Sequence, residues 1–461
     1  MGTVMRIGVF SDNFYPELSG IADSIVAVGR ELAGRGHHIH IYAPRYTRPD
    51  HARLGLPPDE IELGRAVGVT RLPSLPYPTG TGQGRIVVPT GRCWRRLRRF
   101  RPDLVHVHLP FGVGLEGVRA ARMLGTPLVG TNHTPLTEFL GYAPVRADRL
   151  RRLAARYTAW FYNRCDFVSS PARAIFDEME TFGFRAPHRV VSNPIRLDVF
   201  SPRPDKARLK RKFGFPEMTI LYAGRLAAEK RLDLAIEAVA ALAAAYPEIC
   251  LALVGRGAQE DGLKALCASL GVEERVKFLG FLPDVRRLAE IYNASDVFVI
   301  PSTAETQSMA AMQAMACGLP VVGARAWGLT EYITEANGIL VDPGDRDALA
   351  RGVACLLRRP ELRRRLGSGG RAFVRAFSAS AVALEWEDLY GRVVESARRR
   401  RAGSLRAGSR AGALDPPGGE PDETQLCDSR VQRGRQYRPV SGDRFPGSAW
   451  DARGDRGRRR G

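Results

Sequence analysis

Nowhere in the 461 residues does an apolar run approach the roughly 18–20 uninterrupted residues that a membrane span requires. The most apolar helical candidate, Leu234 to Ala245, is short and alanine-rich and suits a core helix. The opening MGTVMRIGVF lacks the long apolar segment and cleavage site of a secretory signal. Cysteine is sparse and scattered: seven residues, with no CxxC pair. That argues against a disulfide framework and a cysteine zinc site, and suits a reducing compartment. Histidine gives no metal set either. His106 and His108 alternate at the end of one strand with no third ligand beside them. Asp345-Arg-Asp347 mimics an Asp-x-Asp metal site, but DPGDRDALA reads better as a helix start.

What is present is ordinary for a soluble globular protein, 44% hydrophobic and 26% charged, apart from a net charge of +20. The last 65 residues, from Ala397, hold 16 arginines against 8 acidic residues, so about +8 sits there. From residue 399 the composition is Gly, Arg, Pro and Asp without periodicity, which predicts a disordered basic tail over 399–461. An excess of this size points to an anionic partner: nucleic acid, an anionic membrane or a phosphorylated ligand.

Strand and helix patterns alternate along the body. Strands are expected at Met5–Phe10, Ile39–Ala43, Val67–Leu72, Leu104–His108, Leu128–Gly130, Phe167–Ser169 and Arg189–Val191. A Pro-, Lys- and Arg-rich stretch around Pro194–Phe215 marks a domain junction. The alternation restarts at Thr219–Ala223, Cys250–Val254, Val276–Leu279, Val297–Ile300, Pro320–Val322 and Gly338–Val341, with helices near 230–245, 259–269, 284–292, 307–317 and 346–357. A last helical pattern spans about 379–398. The fold class is α/β: two tandem doubly wound domains, 1–200 and 216–378, with ligands expected where the carboxyl ends of their sheets face each other.

Three stretches of the second domain carry chemistry. In GRLAAEKR, Gly224 ends a strand and lets a phosphate approach, while Arg225 and Lys230 are placed to reach one pyrophosphate. A solvated basic helix start explains the same residues about as well. Gly255-Arg-Gly257 is a strand followed by G-x-G, more simply a tight turn than a dinucleotide motif. In PSTAETQSMAAMQAMACGLPVV a helix is expected over Thr306–Cys317. Thr306, Gln307 and Ser308 stand at its anion-attracting start, with Glu305 just outside.

GRLAAEKR followed some eighty residues later by ETQSMAAMQAMACGLPVV resembles the retaining family-four glycosyltransferases of GT-B fold. FSDNFYPELSGIADS, DLVHVHLP and GTNHTP in the first half agree, so the likeness spans roughly residues 5–396. It implies an acceptor-binding domain over 1–200, a nucleotide-sugar-binding domain over 216–378, and a helix over 379–398 crossing back onto the first. By matched positions, Arg225 and Lys230 hold the donor diphosphate and Glu305 lies at the donor sugar. Gln313 takes the place of a Glu that holds the ribose. Gly20 is a loop glycine near the reaction centre, His133 lies near the transferred sugar, and Gly224, Gly255, Thr306, Gln307 and Ser308 line the donor site. Asn13 and His108 fall on the acceptor side. The chemistry implied is same-face transfer without a fixed nucleophile or a metal. Gln313 keeps an acceptor but loses a charge-assisted bond, about 1.5–3 kcal/mol against about 0.5–1.5 for a neutral one.

The acceptor is sought in the basic segments. RCWRRLRRFR, residues 92–101, sets Trp94, Leu97 and Phe100 three apart, an apolar ridge among Arg92, Arg95, Arg96, Arg98 and Arg99. VRADRLRRLAARYTAWFYNR, residues 145–164, is similar. Both fit an anionic membrane surface, or no more than a solvated basic face. The opening motif with HTPLTEFLGYAPV resembles the glycolipid-making members. The expectation is therefore a peripheral enzyme on the cytoplasmic membrane face, with a lipid or lipid-linked acceptor. A soluble saccharide acceptor, a catalytically silent binding module and a nucleic-acid-binding protein are the alternatives. The last lacks any recognised motif. Donor base, sugar and oligomeric state are not legible.

Overall fold

Runs such as RIGVFS, LVHVH, ICLALV and VFVI are apolar at successive positions, as strands buried on both faces must be, and each forms one. The computed structural model describes residues 3–17, 19–53, 56, 59–76, 84–134 and 148–411. Its first half contains β1 (Arg6–Ser11), β2 (His38–Pro44), β3 (Val67–Leu72), a hairpin of β4 (Leu75–Pro76) and β5 (Arg85–Ile86), β6 (Leu104–His108), β7 (Leu128–Thr131), β8 (Phe167–Ser170) and β9 (His188–Val190). Helices α1 (Gly20–Gly34), α2 (Arg48–Arg53), α3 (Trp94–Phe100), α4 (Gly112–Leu124), α5 (Asp148–Tyr162) and α6 (Arg173–Thr181) run between them. The sheet order is β3-β2-β1-β6-β7-β8-β9, and every pair is parallel.

The second half has β10 (Met218–Ala223), β11 (Ile249–Val254), β12 (Val276–Gly280), β13 (Val297–Ile300), β14 (Val321–Ala324) and β15 (Gly338–Val341), in the order β12-β11-β10-β13-β14-β15. It also has α7 (Lys206–Phe213), α8 (Leu232–Leu242), α9 (Glu260–Leu270), α10 (Val285–Ala294), α11 (Met309–Ala316), α12 (Leu329–Tyr332), α13 (Arg346–Arg358) and α14 (Pro360–Val374). Strand order reverses between β1 and β6 in one sheet and between β10 and β13 in the other. Those two switch points, at the carboxyl ends, are where a doubly wound fold opens a crevice.

Each sheet is covered on both faces. Leu97, Val113, Val118, Phe161 and Phe176 pack on one face of the first, and Ile25, Val28, Leu32, Trp386 and Tyr390 on the other. The last two belong to α15 (Ala379–Ala411), so the chain does cross back onto the first sheet. Its helix continues past Arg398 to Ala411, thirteen residues into the stretch expected to be disordered; residues 412–461 lie outside the described ones. By contact the chain divides into Met1–Gly403, to which both sheets belong, and Ser404–Gly461. The expected junction around 194–215 is also more than a linker. Ile195, Phe200, Leu209 and Phe215 are buried in the same cluster as Leu221 and Phe298, because four apolar side chains in that stretch find the second sheet.

Candidate active site

The β10–β11 side of the second switch point is built backbone against backbone. Gly224 N donates to the Val254 carbonyl at 2.9 Å, and Tyr222 Oη donates to the Arg225 carbonyl at 2.9 Å. A Cβ on Gly255 would stand 1.8 Å from the Gly224 oxygen, so that residue has to be glycine. Its place in the G-x-G is thereby accounted for by loop packing, the simpler of the two sequence readings. The loop then makes a single 3-10 turn, Ala228–Lys230. Lys230 Nζ lies 2.7 Å from Glu305 Oε1, and the two side chains are only 12% and 14% exposed. Arg225 is half-exposed and reaches Glu229 at 3.2 Å. Two cations expected at one diphosphate thus sit on one loop, one of them already held by the carboxylate expected at the sugar.

The segment after β13 differs from expectation at its start. The helix begins at Met309, not Thr306. Ser308 is its N-cap and accepts from Ala311 N at 3.3 Å, which takes up part of the anion-attracting end. Thr306 and Gln307 face the other half of the molecule. Thr306 Oγ1 donates to the His133 carbonyl at 3.0 Å, and Gln307 Oε1 accepts from Asn193 N at 2.6 Å. Four hydrogen-bonding residues in a row, ETQS, offer several possible caps, and tertiary partners choose among them. Glu305 and His133 come together through this clasp. A Cβ on Gly328 would stand 1.6 Å from the Thr306 oxygen, so a second close approach holds the clasp from behind.

Across the cleft, β6 and β7 deliver three histidines. His108 Nδ1 and His133 Nε2 are 2.9 Å apart, and the rings of His106 and His108 are centred 4.1 Å apart. His106 also bonds Tyr390 Oη and Thr131 Oγ1, each at 2.7 Å. Burial pushes His106 and His133 down to about 3 and His108 well below its ordinary value. All three are neutral at any ordinary pH. His133 is therefore a weak base suited to hydrogen-bonding a hydroxyl, not to removing its proton. Asn13 is spent on the loop itself: its Oδ1 accepts from Ser19 Oγ at 2.5 Å, and its Nδ2 donates to Glu17 Oε1 at 2.9 Å. Gly20 is not in a loop. It is the first residue of α1, and a Cβ there would lie 2.9 Å from Met309 Cγ at the start of α11.

The family models Glycosyltransferase Family 4 and Glycosyl transferases group 1 match residues 18–199 and 205–373. A GDP-mannose-dependent alpha-mannosyltransferase of Mycolicibacterium smegmatis is 30% identical over 377 residues, 81% of this chain and 93% of that one. The chain belongs to this glycosyltransferase family. The alpha-monoglucosyldiacylglycerol synthase of Acholeplasma laidlawii is 24% identical over 84% of this chain and 96% of its own. The crystal structure of Anabaena HepE in complex with UDP has the same fold, with a TM-score of 0.65 at 20% identity over 84% of this chain and all of that one. The protein is a hexosyltransferase of GT-B fold.

In this glycosyltransferase Gln313 is partly buried on α11, and its Oε1 accepts from Tyr292 Oη at 3.2 Å. The single hydroxyl proton is shared with the Ala310 carbonyl at 3.1 Å, so the amide oxygen keeps most of its accepting capacity. The membrane-facing assignment of Trp94 is overturned. Leu97 is fully buried, and Trp94 and Phe100 pack against the same core. Spacing of three gives a stripe but not its direction, and a seven-residue helix turns that stripe inward. Arg92, Arg95, Arg96, Arg98 and Arg99 stay exposed. The outward apolar stripe is on α5, where Leu150, Leu153 and Trp160 are exposed with Tyr157 half-buried between them and Arg149, Arg152 and Arg156 alongside. The part of that segment before 148, and residues 135–147 of the acceptor-side motif, lie outside the described residues.

The structure adds residues that the sequence did not single out. Asp12, next to the first switch point, accepts from Val113 N at 2.7 Å and Gly114 N at 3.0 Å; burial raises it to about 7, although those bonds pull the other way. Glu17 bonds Tyr46 Oη at 2.9 Å and is likewise raised to about 7 by burial. Glu331 accepts from Arg173 N and Ala174 N at the start of α6, tying the two halves. The position of Asp12 directly after a strand was a usable sign. Nothing in the sequence pairs Glu331 with residue 173.

Proposed function

We propose that the enzyme moves a hexose, glucose or mannose, from a UDP- or GDP-sugar to a lipid or lipid-linked acceptor, with retention of configuration. The observation that carries this is the Lys230–Glu305 pair at 2.7 Å, one residue from the Thr306–His133 clasp. Diphosphate binding would draw Lys230 and Arg225 onto the leaving group and release Glu305 to accept hydroxyls of the sugar. The bond from the anomeric carbon to the diphosphate oxygen breaks, and the acceptor oxygen attacks from the same face. The acceptor's proton passes to a departing phosphate oxygen. The charge that develops on the diphosphate is met by fixed cations, the arrangement with the largest catalytic effect in such transfers. With two cations there, no metal is needed in this scheme. HepE was crystallised with UDP, and the mannosyltransferase relative is named for GDP-mannose, which supports a nucleotide-sugar donor and leaves its base open.

A lipid acceptor is supported by the diacylglycerol-glucosylating relative and by the exposed Leu150–Leu153–Trp160 stripe with its arginines. Among the described residues no helix is long and apolar enough to cross a membrane, so contact with lipid would be peripheral, and we place it on the cytoplasmic face. The test is release of nucleoside diphosphate from a panel of UDP- and GDP-hexoses, with and without liposomes containing diacylglycerol and phosphatidylinositol. Release from one donor that rises with lipid is expected. Release that ignores lipid overturns the lipid acceptor in favour of a soluble one, and no release from any donor overturns the transferase scheme.

A further inference from the structure

The carboxyl ends of the first sheet face the cleft; its amino ends open onto something else. Between the ends of α3 and α4 and the outer turns of α15 lies a cavity of about 380 Å³. Arg98, Arg101, Arg398 and Arg401 line it, with Asp103 as the one carboxylate among the lining residues. Asp103 is already engaged: its Oδ2 accepts from Arg6 N at 2.8 Å, and its Oδ1 lies 3.7 Å from Arg398. Arg101 sits at φ +52, a left-handed conformation that costs an ordinary side chain, at the C-cap of α3. Arg401 extends over Gly125, the C-cap of α4, with one guanidinium nitrogen about 3.0 Å from where a Cβ would stand.

Helix C-termini favour cations, which explains an arginine or two at the ends of α3 and α4. It also covers Arg401, which lies over the C-cap of α4, while Arg398 faces Asp103; neither contact accounts for the open groove that all four arginines line together. All four arginines are exposed, so water and salt screen them from one another, and a multivalent anion in the groove would meet several of them at once. All four are arginines, whose planar forks match phosphate oxygens two at a time. The volume is about that of a dozen waters, room for a diphosphate or a phosphodiester with its hydration.

We propose that this cavity binds phosphate groups at a site separate from the donor site. β6 runs from beside the cavity, after Asp103, to His108 in the cleft, and five residues of strand put about 16 Å between them. The ligand is either the phosphate of an anionic lipid or a soluble phosphorylated compound. The inference goes beyond the transferase scheme and does not depend on it.

The test uses the full chain with the cleft silenced by Arg225→Ala and Lys230→Ala. Binding of inorganic pyrophosphate is measured by calorimetry. Sedimentation is measured with vesicles of phosphatidylcholine alone and of phosphatidylcholine with phosphatidylglycerol. The cleft-silenced protein is expected to bind at least one of the two probes. Adding Arg398→Ala and Arg401→Ala should weaken that binding roughly 25-fold, about fivefold per arginine, and Arg398→Lys with Arg401→Lys should recover part of it. Vesicle binding without pyrophosphate binding assigns a lipid phosphate; pyrophosphate binding assigns a soluble ligand. Binding of neither probe, or binding unchanged by the alanine substitutions, overturns the proposal. With an intact cleft, Arg398→Ala/Arg401→Ala should leave turnover on a detergent-dispersed acceptor unchanged, which separates failure here from failure of the transferase scheme.

Discussion

Removing Lys230 should do two kinds of damage, and a double-mutant cycle separates them. Lys230→Ala deletes a charge-assisted bond to the donor diphosphate, a loss of about 1.5–3 kcal/mol. It also leaves the Glu305 carboxylate, 14% exposed, without the ammonium 2.7 Å away. That uncompensated charge then faces the incoming diphosphate. Two unit charges 4 Å apart in a partly buried site interact by about 4 kcal/mol at an effective dielectric of 20, and relaxation and water will reduce this to about 1–2 kcal/mol. The single variant should therefore bind the nucleoside diphosphate about 10²- to 10⁴-fold more weakly than wild type. Lys230→Ala with Glu305→Gln should recover about tenfold of that loss. Calorimetry with UDP and GDP on wild type, both single variants and the double variant gives the coupling directly. A double variant no tighter than Lys230→Ala, with additivity inside about 0.5 kcal/mol, would refute the idea that the two side chains neutralise each other in the empty site and part when the donor binds.

Three other expectations can be checked separately. Gly328→Ala would put a Cβ 1.6 Å from the Thr306 oxygen; turnover should fall at least tenfold as the clasp to His133 opens, and an unchanged rate would contradict the clasp. His106 is held neutral by burial, with its pKa lowered to about 3, so the unfolded chain binds its proton first as pH falls. Its contribution to stability is complete above about 6.5 and is lost between there and about 3, by at most about 1.4 kcal/mol per pH unit. Urea melts of His106→Asn should show a shallower acid loss than wild type over that window, and an equal slope would refute the neutral assignment. Leu153→Asp alters an exposed position on α5, so stability should move by no more than about 0.5 kcal/mol, whereas Trp160→Asp also loses the stack on Tyr157 and the Arg164 contact, about 1 kcal/mol; sedimentation with anionic vesicles should fall about tenfold with both, and unaltered sedimentation would remove α5 from the membrane surface.

Most strands were legible because parallel strands buried on both faces are continuous apolar runs, and no other element needs such runs at four to six residues. The switch-point loops were legible through their chemistry: GRLAAEKR and AETQS each put charge directly after a strand. Helix α14 was not. PELRRRLGSGGRAFV has four arginines and a Gly-Ser-Gly-Gly interior, which reads as a breaker. Yet its Gly367 lies where a Cβ would meet the Gly318 oxygen at 2.1 Å, so the small residues exist to let α14 close on the end of α11. Trp94 was misplaced because a three-residue spacing fixes a stripe but not which way it faces. Thr306 and Gln307 were misplaced because polar residues before a helix cap it equally well on paper, and their partners, His133 and Asn193, are more than a hundred residues away. The three-histidine cluster and the arginine cavity are products of strand order and of α15 crossing back, neither of which spacing along the chain encodes.

The most direct test of the account is to compare wild type with Glu305→Gln for nucleoside diphosphate binding and for diphosphate release from the active nucleotide-sugar. Glutamine keeps the shape and one acceptor while freeing Lys230 for the diphosphate. Binding should be as tight as in wild type or tighter, and transfer should fall by at least 10², the scale of losing one group that meets charge or hydroxyls in the transition state. Near-normal transfer by Glu305→Gln would contradict the place given to this carboxylate at the donor sugar, and with it the chemistry proposed for the cleft.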